Sequence, residues 1–201
     1  MTTVLIVRAH VLDATRSHSM KGLDRFIEVY SATHPGDTLE VLDVYDGSVP
    51  EIDADIVAHL YPDGTQPSPE AAAKGARFDA LTDQFLAADK IVIANPLWNL
   101  NLPSRLHSWV DTICVAGKTF TYTEQGPVGL AAGKKVLHIQ SSGGVYGGKE
   151  PGSTYLEQVL RLTGITDITS VFIEGQDYAP DKDAEITAAA LARIEEIAKD
   201  F

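Results

Sequence analysis

Three runs in this chain, Val4–Val7, Ile91–Ala94 and Lys135–Ile139, are apolar almost without interruption and rich in β-branched residues. A strand with one wet face must alternate polar and apolar side chains. A run that does not alternate is covered on both faces, the situation of a parallel sheet sandwiched between helices. Two further short runs, Leu39–Val44 and Ile168–Ile173, complete a set of five. Helical spacing fills the intervals. Ser19–Ser31 places Met20, Leu23, Phe26, Ile27 and Tyr30 on one stripe, and Pro69–Ala88 does so with Phe78, Leu81 and Phe85. Pro103–Val115 carries Leu106, Trp109, Val110 and Ile113, Tyr155–Leu162 stops before Gly164, and Asp183–Lys199 closes the pattern. Strands alternating with helices specify an α/β fold, a doubly wound sandwich around a five-stranded parallel sheet. Right-handed crossovers put helices on both faces, and the expected strand order is 2-1-3-4-5.

A chain of 201 residues fits one domain spanning 1–201. No linker, repeat or low-complexity tract divides it. The formal charge of −12 argues against a nucleic-acid or anionic-membrane binder. No apolar run approaches the ~20 residues of a membrane helix, and Met1–Val4 lacks the basic and apolar regions of a signal peptide. The lone Cys114, flanked by Ile113 and Val115, excludes an intrachain disulfide and reads as an inert thiol. The expected location is the cytoplasm. Two loops are long: Tyr45–Ser68, with a short helix expected over Asp53–Leu60, and Gly117–Gly133, where Thr119–Thr123 alternates like a short strand. Long loops in compact domains are often lids or interfaces.

In open parallel sheets ligands bind outside the carboxyl ends of the strands, so the loops after strands one, three and four are the candidates for chemistry. The first, Arg8–Ser19, is neither a G-x-G-x-x-G turn nor a Walker loop. It places Ser17 and Ser19 at the start of a helix, where free N–H groups and hydroxyls cradle a phosphate; the plainer reading of Ser17 is a helix cap. His10 and His18 lie in the same turn, and Arg16 adds charge. The second loop is Pro96-Leu97-Trp98-Asn99-Leu100. An aromatic and backbone N–H donors at Asn99 and Leu100 suit the edge of a flat heteroaromatic ring, which suggests a flavin; the alternative is Trp98 as a core anchor. The third, Ser141-Ser142-Gly143-Gly144, lets backbone approach a ligand closely, with N–H groups for the pole of the ring that gathers negative charge on reduction. His34, His59, His107 and His138 are scattered. No Cys/His cluster supports a metal site, and no G-x-S-x-G elbow supports a serine hydrolase.

These residues resemble the FMN-dependent NADH-azoreductase family of the flavodoxin-like quinone reductases. The resemblance spans nearly the whole chain and is carried by Ala94–Asn101, by Ala116–Leu130 and by Gly164–Asp167. The middle segment matches the pattern Thr-Phe-x-Tyr-Thr-x-x-Gly-Pro-x-Gly-Leu. The resemblance implies a homodimer with one FMN per subunit and the active site at the dimer interface. Ser17, His18 and Ser19 correspond to the phosphate turn, Leu97–Leu100 and Ser141–Gly144 to the two ring loops, and Phe120 and Tyr122 to a lid near the partner's flavin. Tyr146 stands in the substrate pocket where His is frequent, and His10 stands where Ser is usual. The implied activity is two-electron, ping-pong hydride transfer from NADH or NADPH through FMN to a small aromatic acceptor, a quinone or azo compound. A flavodoxin-type electron carrier and a regulatory protein of the same fold are the alternatives.

Overall fold

The computed structural model describes residues 1–201. Its main sheet contains β1 (Thr3–Arg8), β2 (Thr38–Asp43), β3 (Lys90–Pro96), β6 (Lys135–Ser142) and β7 (Asp167–Glu174), all parallel, in the order β2-β1-β3-β6-β7. Numbered within that sheet this is 2-1-3-4-5, as the alternation of runs predicts. Val4–Val7 and Ile91–Ala94 have no exposed surface at all, which is why neither run alternates. β2, at the edge, exposes Glu40 and Val41.

Helices α1 (His18–Thr33) and α6 (Asp183–Asp200) cover one face; α3 (Pro69–Ala87), α4 (Ser104–Ile113) and α5 (Pro151–Leu162) cover the other. Each face owns a core. Leu5, Phe85, Ile91, Leu106, Trp109 and Leu160 belong to one, and Val4, Phe26, Tyr30, Val92, Leu137 and Ile194 to the other. The short helix α2 (Ala54–Leu60) falls where expected, capped by Asp53.

Two boundaries differ from the sequence reading. α5 begins four residues before Tyr155, because Glu150 caps it and Pro151 occupies the first turn, where a missing N–H costs nothing. The strand expected over Thr119–Thr123 is half of a hairpin, β4 (Phe120–Thr123) with β5 (Gly126–Gly129). β5 holds two glycines and a proline, a composition that carries no strand signal. No helix of the structure is long and apolar enough to cross a membrane.

Candidate active site

Parallel strands bring the ends of β1, β3, β6 and β7 to one edge of the sheet, and the loops that follow them surround a divided cleft. One part, about 280 Å³, is lined by His18, Pro96, Trp98, Ser141, Gln176 and Asp177 among others. Its neighbour, about 260 Å³, is lined by Asn99, Leu100, Gly144 and Tyr146, and the two share Leu97, Ser142, Gly143 and Asp177. A larger hollow of about 470 Å³ opens at the opposite end of the sheet between Lys135, Asp167, Arg193 and Glu196. It is walled mainly by mutually opposed charges, and size alone does not identify the site.

The turn after β1 delivers Ser17 as the cap of α1. Its hydroxyl accepts from Met20 N at 3.4 Å, a long bond, and lies 3.1 Å from the hydroxyl of Ser19. Both serines are buried. The N–H groups of His18 and Ser19 open the helix and have no intrahelical partner, and no acidic residue occupies the first turn. The positive end of a 16-residue helix is therefore left for an anion. The His18 ring turns away toward α6, within 3.1 Å of the Thr187 hydroxyl and 3.4 Å of the Asp183 carboxylate. Arg16 is exposed and forms no ion pair. His10 is buried in the cleft wall rather than lining the cleft: its Nδ1 accepts from Leu12 N at 2.8 Å and its ring meets the edge of Trp98. Burial, then the nearby Arg8, hold its pKa below the ordinary histidine value.

The loop after β3 is a tight reversal. Trp98 N donates to Asn101 O at 3.0 Å and Asn101 N to Trp98 O at 2.9 Å, which leaves Asn99 and Leu100 as the two residues of the turn, at φ 53° and 62°. Both dihedrals are left-handed, as a two-residue hairpin turn requires, and for leucine this conformation is strained. The N–H groups of Asn99 and Leu100 donate to nothing in the protein. Trp98 is 39% exposed, held edge-on by His10 and Tyr45. It is a wall of the cleft; the core tryptophan is Trp109.

After β6, Ser142 Oγ donates to Gly144 O at 2.9 Å, Asp177 N to Gly143 O at 3.0 Å, and Gly175 N reaches the carbonyls of Ser142 and Gly144. The loop's carbonyls are thus occupied, while the N–H groups of Gly143 and Gly144 have no acceptor. A Cβ at Gly143 would meet the Asp177 carboxylate, which would have to move aside. Tyr146 lines the second part of the cleft. Phe120 and Tyr122 do not join it. α4 starts at the cleft edge and runs back, so the hairpin after it packs beside the far end of α5, where Ala131 N donates to Thr163 O. Phe120 is buried there and Tyr122 is 73% exposed.

Sequence reasoning missed the fourth loop, Gly175–Ala179. Gln176 contributes a buried Nε2 with no partner in the protein, and Asp177 stands between the two parts of the cleft. The strand-end rule extended to β7 would have found them. Also missed was a buried polar chain below the cleft. His138 Nε2 bonds Asn95 Oδ1 at 2.8 Å, Asn95 Nδ2 donates to Gln140 Oε1 at 3.2 Å, and Gln140 Nε2 donates to Glu150 Oε1 at 2.8 Å. Its signal was period two: His138 and Gln140 share one face of an otherwise apolar strand.

Burial lowers the His138 pKa to about 4, against a small opposing pull from Glu150. A histidine kept neutral by folding stabilises the protein fully above its unfolded pKa near 6.5, and that stability is lost as pH falls toward 4. At about 1.4 kcal/mol per pH unit, wild type should lose roughly 2 kcal/mol between pH 7 and 5 from this group. His138→Gln keeps a donor to Asn95 without a titrating ring. Urea unfolding at the two pH values should show a smaller loss in this variant, and equal losses would contradict the assignment.

The family described as having a flavodoxin-like fold matches residues 2–198. A Streptococcus suis protein named FMN-dependent NADH:quinone oxidoreductase is 45% identical over the full length of both chains. The chain belongs to this flavodoxin-like family of FMN-dependent NADH:quinone oxidoreductases and azoreductases. A family member from Geobacillus kaustophilus, named for the same activity, is 40% identical, again with full coverage of both chains. The crystal structure of an azoreductase from Bacillus anthracis superimposes with a TM-score of 0.93 at 36% identity, covering all of both chains. Another B. anthracis structure, an FMN-dependent NADH-azoreductase in complex with FMN, gives 0.93 at 32% identity over 100% of this chain and 99% of its own.

The donors in the cleft fit FMN. An anion site at a helix start, an unpaired buried amide at Gln176, and free N–H pairs on two facing loops match a phosphate joined to a flat, polar-edged ring.

Proposed function

We propose that this protein is an FMN-dependent oxidoreductase that takes electrons from NADH, with NADPH the alternative donor, and reduces quinones or aromatic azo compounds. The observation that carries this reading is the row of N–H groups without protein acceptors at His18, Ser19, Asn99, Leu100, Gly143 and Gly144, gathered at adjoining strand ends. When bound, FMN supplies the two-electron hydride chemistry. Ser17 and the N–H groups of His18 and Ser19 hold the phosphate. The free N–H groups of Asn99 and Leu100, and those of Gly143 and Gly144 facing them, would hold the polar edges of the ring and would favour negative charge developing there. Trp98 shields the ring from water. Donor and acceptor use the same opening in turn, so no protein nucleophile is needed.

The working unit in this reading is a homodimer. Support comes from the hairpin: Tyr122 is 73% exposed and Val128 and Leu130 nearly half exposed, far from their own cleft, and the lid role that the family pattern implies for Phe120 and Tyr122 would be met by reaching a partner's. Light scattering on the purified protein tests this, and a monomer at micromolar concentration would overturn it. Cytoplasmic location accords with the single half-buried Cys114, whose pKa burial raises to about 11.

The deciding experiment is a visible spectrum with FMN followed by anaerobic addition of each nucleotide. Bleaching by NADH supports the reading; bound flavin that neither nucleotide bleaches, or no bound flavin, overturns it. Trp98→Ala should raise acceptor KM several-fold with FMN still bound. Unchanged steady-state constants would return Trp98 to a purely structural role.

A further inference from the structure

The buried chain below the cleft has a direction, and that direction is set at one end. Glu150 Oε1 only accepts, taking bonds from Ser153 N at 3.1 Å, from the Ser153 hydroxyl and from Gln140 Nε2. Gln140 must therefore present its Oε1 to Asn95. Asn95 must then present Nδ2 to Gln140 and Oδ1 to His138, whose Nε2 carries the proton. One carboxylate thus orients two amides and an imidazole, all buried. Burial pushes the Glu150 carboxyl up, but the bonds from Gln140 and Ser153 outweigh it and hold it below the usual range, so the acceptor stays ionised.

This chain ends on the strained turn. The same Asn95 Nδ2 donates to Pro96 O at 2.9 Å, at the entrance of the 96–101 loop. Gly152 N, in the first turn of the helix that Glu150 caps, donates to Leu100 O at 3.1 Å, at its crest. Leu97 N donates to Ser141 O at 2.7 Å between them. Left-handed Asn99 and Leu100 persist only if their surroundings over-determine them. Two of the three anchors trace back to Glu150.

We infer that Glu150 is a positioning residue which, through Gln140 and Asn95 on one side and the start of α5 on the other, holds the Asn99 and Leu100 N–H groups in place for the flavin ring. The inference rests on the proposed function. Its consequence is that the network governs FMN affinity beyond its share in stability.

The test is FMN titration of the full-length protein stripped of flavin, read by fluorescence quenching, with melting temperatures measured in parallel. Asn95→Ala and Glu150→Leu should each raise the FMN Kd at least tenfold. Glu150→Gln, which retains an acceptor for Gln140 and Ser153, should stay within about threefold of wild type. Thr82→Val is the stability control: it removes a buried 2.6 Å bond to Thr112 O remote from the cleft, so it should lower the melting temperature and leave Kd within twofold. If Asn95→Ala does not fold, Gln140→Leu cuts the same chain one link away. Network variants that melt earlier but bind FMN as wild type does, or affinity losses that track melting temperature in Thr82→Val as well, overturn the inference. Wild-type protein that does not bind FMN instead overturns the function reading.

Discussion

Replacing Ser17 with Asp is expected to weaken FMN binding about a hundredfold while leaving the FMN-free protein at least as heat-stable as wild type. The two halves have one cause. Asp is as good a helix cap as Ser, and its charge suits the helix start, so α1 gains or holds. The same carboxylate occupies the place prepared for a phosphate carrying nearly two negative charges. Two unit charges about 4 Å apart near a protein surface repel by up to about 4 kcal/mol, of which the helix end offsets part. A residue of about 2.7 kcal/mol is two decades in Kd. Ser17→Ala separates the terms: it loses a hydroxyl and the long bond to Met20 N without adding charge, so its Kd should rise by less than tenfold. Salt should partly rescue the Asp variant and not the Ala variant. Equal Kd values for Ser17→Asp and wild type would remove the phosphate from this helix start.

How far such a site is legible beforehand depends on where its signal lies. Val4–Val7 announces itself because burial on both faces abolishes alternation, and strand order follows from connectivity rules. The loops of the cleft are legible through paired glycines directly after a buried strand, Gly143 and Gly144, and through the serines at the start of α1. Leu100 is different: nothing in a leucine predicts φ 62°, and its strain is visible only once the Trp98–Asn101 bridge is seen. The connection of His138 to Glu150 was unreadable for a related reason. The two lie 12 positions apart, and their link runs through Asn95, far upstream. Pattern reading sees neighbours at spacings of two to four; a buried polar chain is assembled by the sheet. Phe120 and Tyr122 show the opposite limit. The family pattern marks them, yet within one chain the structure leaves them away from the cleft, Phe120 buried beside the far end of α5 and Tyr122 exposed.

That pattern contains a residue whose purpose is now physical, Gly129, and it carries the largest stability effect expected here. β5 crosses the end of α5 so closely that a Cβ on Gly129 would sit 2.1 Å from Gly164 N, 2.3 Å from Gly164 Cα and 2.3 Å from Thr163 C. All three are backbone atoms, so no side chain can rotate aside. Gly164 itself ends the helix at φ 97°, with its N–H on Arg161 O and that of Ile165 on Leu160 O, the left-handed stop that glycine serves. The helix end cannot yield without opening these bonds, and the hairpin cannot lift without losing Leu130 N to Thr119 O and Ala131 N to Thr163 O, each at 2.8 Å. Gly129→Ala should therefore cost about 3 kcal/mol or more, at the upper end of overpacking penalties. For a chain of this size that is a fall in melting temperature of about 6–12 °C. Val128→Ala, one residue earlier and 48% exposed, should change it by no more than about 2 °C. If the hairpin also frames a partner's cleft, Gly129→Ala will raise acceptor KM while FMN affinity, set at the other end of the sheet, stays put. A melting temperature equal to wild type would mean that hairpin and helix part freely, and the Gly-Pro-x-Gly pattern would then need a reason other than close approach.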